Sequence, residues 1–301
     1  MGKKLSVEIA GVCFKNPVTT ASGTFGYGQP FEDFFDLSRL GAVTTKGVSV
    51  KPWKGNATPR MAETHGGMLN SIGLQNDGLA LFIKTAIPYL RQFDTNIIVN
   101  ICGHTLEEYV AAAEMLADAD VDMLELNISC PNISEGGVAF GTCAATAAKV
   151  TEAVKKKAKQ PLIVKLSPNV TDITEIAKAA ESSGADAISL INTLLGMQID
   201  IRRRKSMLAN GYGGLSGPAI QPVALRMVHQ TARAVGLPVI GMGGIATGED
   251  AVAFLMAGAT MVAVGTANFS NSHATTDVLD GIEAFMTDEN IDDVRMLIGV
   301  V

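Results

Sequence analysis

What most constrains this chain is a recurrence along the sequence: a short run of β-branched and apolar residues, a polar or glycine-containing break, then an amphipathic helical stretch. Eight such runs fall at residues 18–22, 42–46, 96–101, 123–129, 161–167, 187–193, 238–243 and 261–266. Helical periodicity lies between most of them, at 106–119, 142–159, 173–183, 219–235 and 249–257. Runs such as Leu162-Ile163-Val164 are continuously apolar, as strands buried on both faces are. Eight β units with helices between them in 301 residues predict an α/β fold of the (β/α)8 TIM-barrel type. A doubly wound sheet would ordinarily have fewer strands, about five to seven, and a switch point. No Pro-, Ser- or charge-rich linker divides the chain, so one domain over residues 1–301 is expected.

Two segments depart from the minimal barrel. Residues 5–9 and 12–14 flank Ala10-Gly11, a short N-terminal hairpin signal that would cap the bottom of the barrel. After the second strand, residues 47–76 form a long segment with Pro52, Pro59 and several glycines, and it begins at the face where such barrels carry their chemistry.

Composition narrows the function. The 24 Lys and Arg against 30 Asp and Glu give a net charge of −6, which disfavours nucleic acid as a partner. The one basic run, Arg202-Arg203-Arg204-Lys205, reads as a solvated loop. Met1 is not followed by a long apolar segment, and no stretch approaches the roughly 18 apolar residues of a membrane span, so a cytoplasmic protein without membrane attachment is expected. Cys13, Cys102, Cys130 and Cys143 form no C-x-x-C pair and read as reduced thiols, all but Cys130 as structural. His65, His104, His229 and His273 are scattered, and no metal site is expected.

In a β/α barrel the loops after the strands build the active site. Here the strands end in Ser22, Lys46, Asn100, Asn127 with Ser129 and Cys130, Lys165, Asn192 with Thr193, Gly243 with Gly244, and Gly265 with Thr266. Ordinary turn chemistry accounts for any single Asn, Ser or Gly among them. The lysines differ, because an unpaired ammonium in an apolar strand is costly, and a bound anion is the expected compensation. The glycine loops after strands seven and eight suit a phosphate, since glycine lets backbone N–H groups approach an anion. Cys130 stands at a strand exit before Ser134-Glu135-Gly136-Gly137, and the residues leave open whether it is a catalytic thiol or a small buried hydrophobe.

Taken together, Asn127-Ile-Ser-Cys-Pro-Asn132, Asn70-Ser-Ile-Gly-Leu-Gln-Asn76, the segment 241–250 and the segment 264–269 resemble the class 1 dihydroorotate dehydrogenases over essentially the whole chain. Ile72-Gly-Leu-Gln-Asn76 and Tyr212-Gly-Gly-Leu-Ser-Gly-Pro218 look more like the NAD-linked 1B subclass than the fumarate-using 1A subclass. Class 2 enzymes, with an N-terminal helical extension and a serine base, are less similar. The resemblance implies oxidation of dihydroorotate to orotate in pyrimidine (UMP) biosynthesis, with Cys130 taking the C5 proton and FMN the C6 hydride. It implies FMN contacts from Ser22, Lys46, Gly47, Asn100, Asn127, Lys165, Ile191, Gly217, Gly243, Gly244, Gly265 and Thr266. Substrate would meet Lys46, Asn70, Ser71, Ile72, Gly73, Leu74, Asn127, Asn132, Asn192 and Thr193. Electrons would leave through a separate subunit carrying FAD and a [2Fe-2S] cluster, in an assembly of two copies of each chain. Rival readings are a 1A enzyme or pyrimidine-reducing relative, and a flavin-free sugar-phosphate barrel using Lys46 or Lys165 as a Schiff-base lysine.

Overall fold

The computed structural model describes residues 2–129 and 140–301. Eight parallel strands close into a barrel: β1 (Val18–Thr20), β2 (Ala42–Thr44), β3 (Asn96–Ile101), β4 (Met123–Asn127), β5 (Leu162–Lys165), β6 (Ala187–Leu190), β7 (Val239–Met242) and β8 (Met261–Val264). Each strand pairs with its neighbour in sequence, and β8 closes on β1 through Val262 opposite Val18. The continuous apolar runs are explained by burial on both faces, as Leu162, Ile163 and Val164 are fully buried.

The outer layer consists of α1 (Leu79–Leu90), α2 (Leu106–Leu116), α3 (Ala144–Lys155), α4 (Ile173–Ser182), α5 (Gln221–Ala234), α6 (Gly248–Met256), the short α7 (Ala267–Ser270) and α8 (Ala274–Asp288). Helix α4 illustrates the local logic. The Asp172 side chain accepts from Thr174 N at its N-cap, and Ile173, Ile176, Ala177 and Ala180 recur at helical spacing on the buried face. Each isoleucine buried there contributes about 1.5–3 kcal/mol. Helix α6 opens with a capping box between Thr247 and Asp250.

The sequence patterns differ from the structure in three places. No α-helix links β1 to β2; 3-10 turns at Gln29–Phe31 and Leu37–Arg39 do, packed by Phe25 stacked on Phe31. Helix α1 is absent from the stretches recognisable by periodicity, since Gly78 and Pro88 punctuate it. The third difference is a small antiparallel sheet at the barrel mouth. The long segment after β2 is not merely a loop: it contains strands Met61–Thr64 and Gly67–Asn70, and these pair with Gly213–Ser216 and then Leu194–Gly196 from beyond β6. That pairing joins segments distant in sequence, which short-range patterns cannot reveal.

At the opposite end, the N-terminal hairpin Val7–Ile9 with Val12–Phe14 turns through Ala10 and Gly11, both at positive φ. It sits at the bottom of the barrel, where Asn96, the first residue of β3, donates to the Cys13 carbonyl at 3.0 Å. The Arg202 to Lys205 run is exposed, in a turn where Asp200 Oδ1 accepts from the Arg202 and Arg203 amides. Among the described residues no helix is long and apolar enough to cross a membrane.

Candidate active site

A cavity of about 720 Å3 opens between the C-terminal ends of the barrel strands and the small sheet. Ser22, Lys46, Gly47, Asn127, Lys165, Ile191, Asn192 and Thr193 line it from the exits of β1, β2, β4, β5 and β6. Gly217, Gly243, Gly244, Gly265 and Thr266 close one side, and Asn70, Ile72, Gly73 and Leu74 reach in from the segment after β2. Residues from Ser22 to Thr266 thus share one space because parallel strands all deliver their C-terminal ends to the same face.

The β4 exit is held by a chain of hydrogen bonds. Asn127 Nδ2 donates to Asn100 Oδ1 at 3.3 Å, and Asn127 Oδ1 accepts from Ser129 Oγ at 2.8 Å. Ser129 Oγ in turn accepts from Asn192 Nδ2 at 2.6 Å, and the Asn127 carbonyl accepts from Tyr109 Oη on α2 at 2.8 Å. Both carboxamides are thereby fixed in orientation, each offering a donor and an acceptor in one plane. Asn169 supports the β6 exit by donating to the Thr193 carbonyl at 3.0 Å.

The glycine side is a cradle in which side chains do not fit. Gly243 and Gly244 have φ of +124° and +84°, and a Cβ on Gly244 would lie 2.5 Å from Gln221 Cβ. Across the cavity, a Cβ on Gly214 would lie 1.9 Å from Thr193 Oγ1, so the small sheet rests directly on the β6 exit. Thr266 Oγ1 donates to Ser216 Oγ at 2.8 Å, tying the β8 exit to the same sheet.

Lys165 is 4% exposed, and its compensation differs from the expectation: a protein carboxylate, Glu125 on β4, stands 3.9 Å from its Nζ. Glu125 lay inside an apolar run and gave no sequence signal beyond being the one charge in it. Lys46 is half-buried on the cavity wall, close enough that a Cβ on Gly23 would lie 3.6 Å from its Nζ.

Two expected contact residues stand apart from the cavity wall. Asn100 is wholly buried beneath Gly47, whose Cβ would meet Asn100 Oδ1 at 2.7 Å. Ser71 turns away, its hydroxyl accepting from Asn56 and Asn210 at 3.1 and 3.0 Å. Cys130 and Asn132 lie outside the described residues. Sequence reasoning missed Glu125, Ser189, Met68 and Ser216. It also read Cys13 and Cys143 as structural thiols, yet both are exposed, and backbone amides of Thr146 and Ala145 pull the Cys143 thiol below its ordinary range. Among the described residues no three His, Cys, Asp or Glu side chains gather as a metal site.

The family model described as dihydroorotate dehydrogenase matches residues 4–286. A protein of Alkaliphilus oremlandii named "Dihydroorotate dehydrogenase B (NAD(+)), catalytic subunit" is 65% identical over 297 residues, covering 99% of this chain and 98% of the relative. Proteins of the same name from Lachnoclostridium phytofermentans and Geobacter sulfurreducens are 61% and 54% identical, covering 98% and 99% of this chain and 99% and 98% of the relatives. The chain belongs to the dihydroorotate dehydrogenase family.

Proposed function

We propose that this chain is the catalytic subunit of an NAD-linked dihydroorotate dehydrogenase, which oxidises dihydroorotate to orotate for pyrimidine biosynthesis with FMN in the barrel mouth. The observation that carries the reading is the single cavity in which Lys46, Asn127, Lys165, Asn192 and the two glycine loops meet. The residues fit FMN. The backbone at Gly243, Gly244, Gly265 and Thr266 makes a phosphate cradle that a Cβ at Gly244 would obstruct, and Ser22, Gly47, Asn127, Lys165, Ile191 and Gly217 would hold the rest. When bound, FMN supplies a two-electron acceptor.

The chain's own residues do the remainder. Lys46 balances the substrate carboxylate, and Asn70, Asn127 and Asn192 meet its ring amides and carbonyls with donor and acceptor pairs. Asn132 joins them from the segment outside the described residues, and Cys130 takes the C5 proton. The small sheet roofs the cavity and restricts water. Lys165 keeps a positive charge at the cavity wall, where it stabilises negative charge as it develops.

The same reading makes residues 1–301 one FMN-binding barrel domain working in the cytoplasm. Electrons pass to a partner subunit with FAD and a [2Fe-2S] cluster, in an assembly of two copies of each chain, and thence to NAD. Support for the partner comes from the words "catalytic subunit" in the relatives' names, and from four cysteines too dispersed for a cluster quartet. The test is to denature the purified chain, identify the released chromophore, and assay dihydroorotate oxidation with fumarate and with NAD plus the partner. Released FMN and NAD-coupled turnover are expected. A colourless protein, or turnover with fumarate alone, would overturn the assignment.

A further inference from the structure

The interior of β4 carries a carboxylate that the reaction outlined above does not use. Glu125 is 2% exposed in a region that barrels of this type ordinarily fill with branched apolar side chains. Its Oε1 accepts from Ser189 Oγ at 2.6 Å, its Oε2 accepts from the Asn100 amide, and Lys165 Nζ stands 3.9 Å from the same Oε2. Its partners therefore come from β3, β5 and β6. Strand register explains the cluster: Asn100 lies opposite Glu125, while Lys165 lies opposite Asn127 on one side and Ser189 on the other.

Lys165 reaches the cavity and Glu125 does not. At 3.9 Å the two are paired by charge without a hydrogen bond between them, and among the described residues the ammonium makes no hydrogen bond at all. Its donors remain for an occupant of the cavity. A buried pair of this kind is costly to desolvate, and losing one member strands the other as an uncompensated charge.

We infer that Glu125 is a positioning residue: the buried counterion that anchors Lys165 and limits how much of its positive charge acts on an anion in the cavity. The inference rests on the flavin reading for the identity of that anion, the reduced flavin. With Glu125 neutralised, no described residue is left to pair with Lys165, so the negatively charged reduced flavin in the cavity gains. With Lys165 neutralised, the ammonium through which Glu125 acts is gone, and neutralising Glu125 as well changes little.

The experiment is a double-mutant cycle on the full chain with its bound flavin, using Glu125→Gln, Lys165→Gln and the combined variant, with Glu125→Asp as the charge-conserving control. The reduction equilibrium of the bound flavin is measured against reference dyes. Glu125→Gln is expected to favour the reduced form by about tenfold, roughly 30 mV for a two-electron couple. The same change in the Lys165→Gln background is expected to do much less, under about threefold, and Glu125→Asp to stay near wild type. An unmoved equilibrium in Glu125→Gln, or an equal shift in both backgrounds, would overturn the inference, since a merely structural role lowers stability without this coupling.

Thermal stability is the second readout and needs no flavin. Each single variant is expected to melt lower than wild type and the double variant to recover part of the loss. Should Glu125→Gln fail to fold, a double variant that folds supports the pairing and one that does not overturns it. A colourless protein would remove the flavin reading, leaving the melting cycle to decide the Glu125–Lys165 pair alone.

Discussion

Asn192 Nδ2 donates to Ser129 Oγ at 2.6 Å, and through this contact the exits of β6 and β4 hold each other immediately before residue 130. Ser129 passes the constraint on to Asn127, whose Oδ1 it donates to at 2.8 Å. One hydroxyl therefore joins the carboxamides of Asn127 and Asn192, two of those proposed to read the substrate ring. Replacing Ser129 with Ala leaves Asn127 Oδ1 and Asn192 Nδ2 each short of a partner, at about 1–3 kcal/mol for a buried group. The expected result for Ser129→Ala is a loss of about tenfold or more in kcat/KM for dihydroorotate with FMN retained. Steady-state kinetics beside the flavin absorbance spectrum checks it.

Gly244→Ala tests the phosphate cradle. A Cβ there would approach Gln221 Cβ to 2.5 Å at a φ of +84°, so the loop after β7 must shift. The variant is expected to purify with little flavin and to bind added FMN at least about tenfold more weakly. Quenching of flavin fluorescence during titration provides the measurement, and wild-type affinity would place the phosphate elsewhere.

Cys130→Ser addresses the proton. A serine hydroxyl is a far weaker base than a thiolate at neutral pH. The variant is expected to keep FMN and orotate binding while losing most turnover near pH 7. Undiminished turnover would remove Cys130 from the mechanism.

The ends of the chain give a pH prediction unconnected with catalysis. Asp293 accepts from Arg295 Nε at 2.9 and 3.0 Å and stands 3.6 Å from Lys4 Nζ. The Arg295 hydrogen bonds hold its carboxyl well below the usual carboxylate range. A depressed carboxylate contributes stability that is present above its unfolded-state pKa and lost as pH falls through the lower folded-state value. Asp293→Asn should thus melt below wild type near pH 6, with the difference shrinking as pH falls through and below the ordinary carboxylate range. Melting curves across that window decide it, and a difference independent of pH would contradict the assignment.

The barrel was legible in the sequence because its signal is local. Strands such as Leu162–Lys165 are apolar on both faces, and parallel connectivity sends every strand end to one side. Most candidate cavity residues were legible for the same reason, since a residue at a strand exit, such as Asn192 or Gly243, can face little else. Glu125 was hidden because its meaning depends on Lys165, 40 residues later and one strand over. The small sheet was hidden for a related reason: Gly67–Asn70 pairs with Gly213–Ser216, a contact across about half of the chain between short segments of weak strand propensity. Asn100 lies at a strand exit and Ser71 in the long segment after β2, and only packing decides that Gly47 covers one and that Asn56 and Asn210 claim the other.

Reduction of the bound flavin by dihydroorotate is measured under anaerobic conditions. The purified chain, without its partner subunit, is mixed with dihydroorotate while the flavin band near 450 nm, a wavelength roughly typical of oxidised flavins, is followed. The yellow protein is expected to bleach, with orotate appearing in amounts matching the flavin reduced. A flavin that stays oxidised in the presence of dihydroorotate would contradict it.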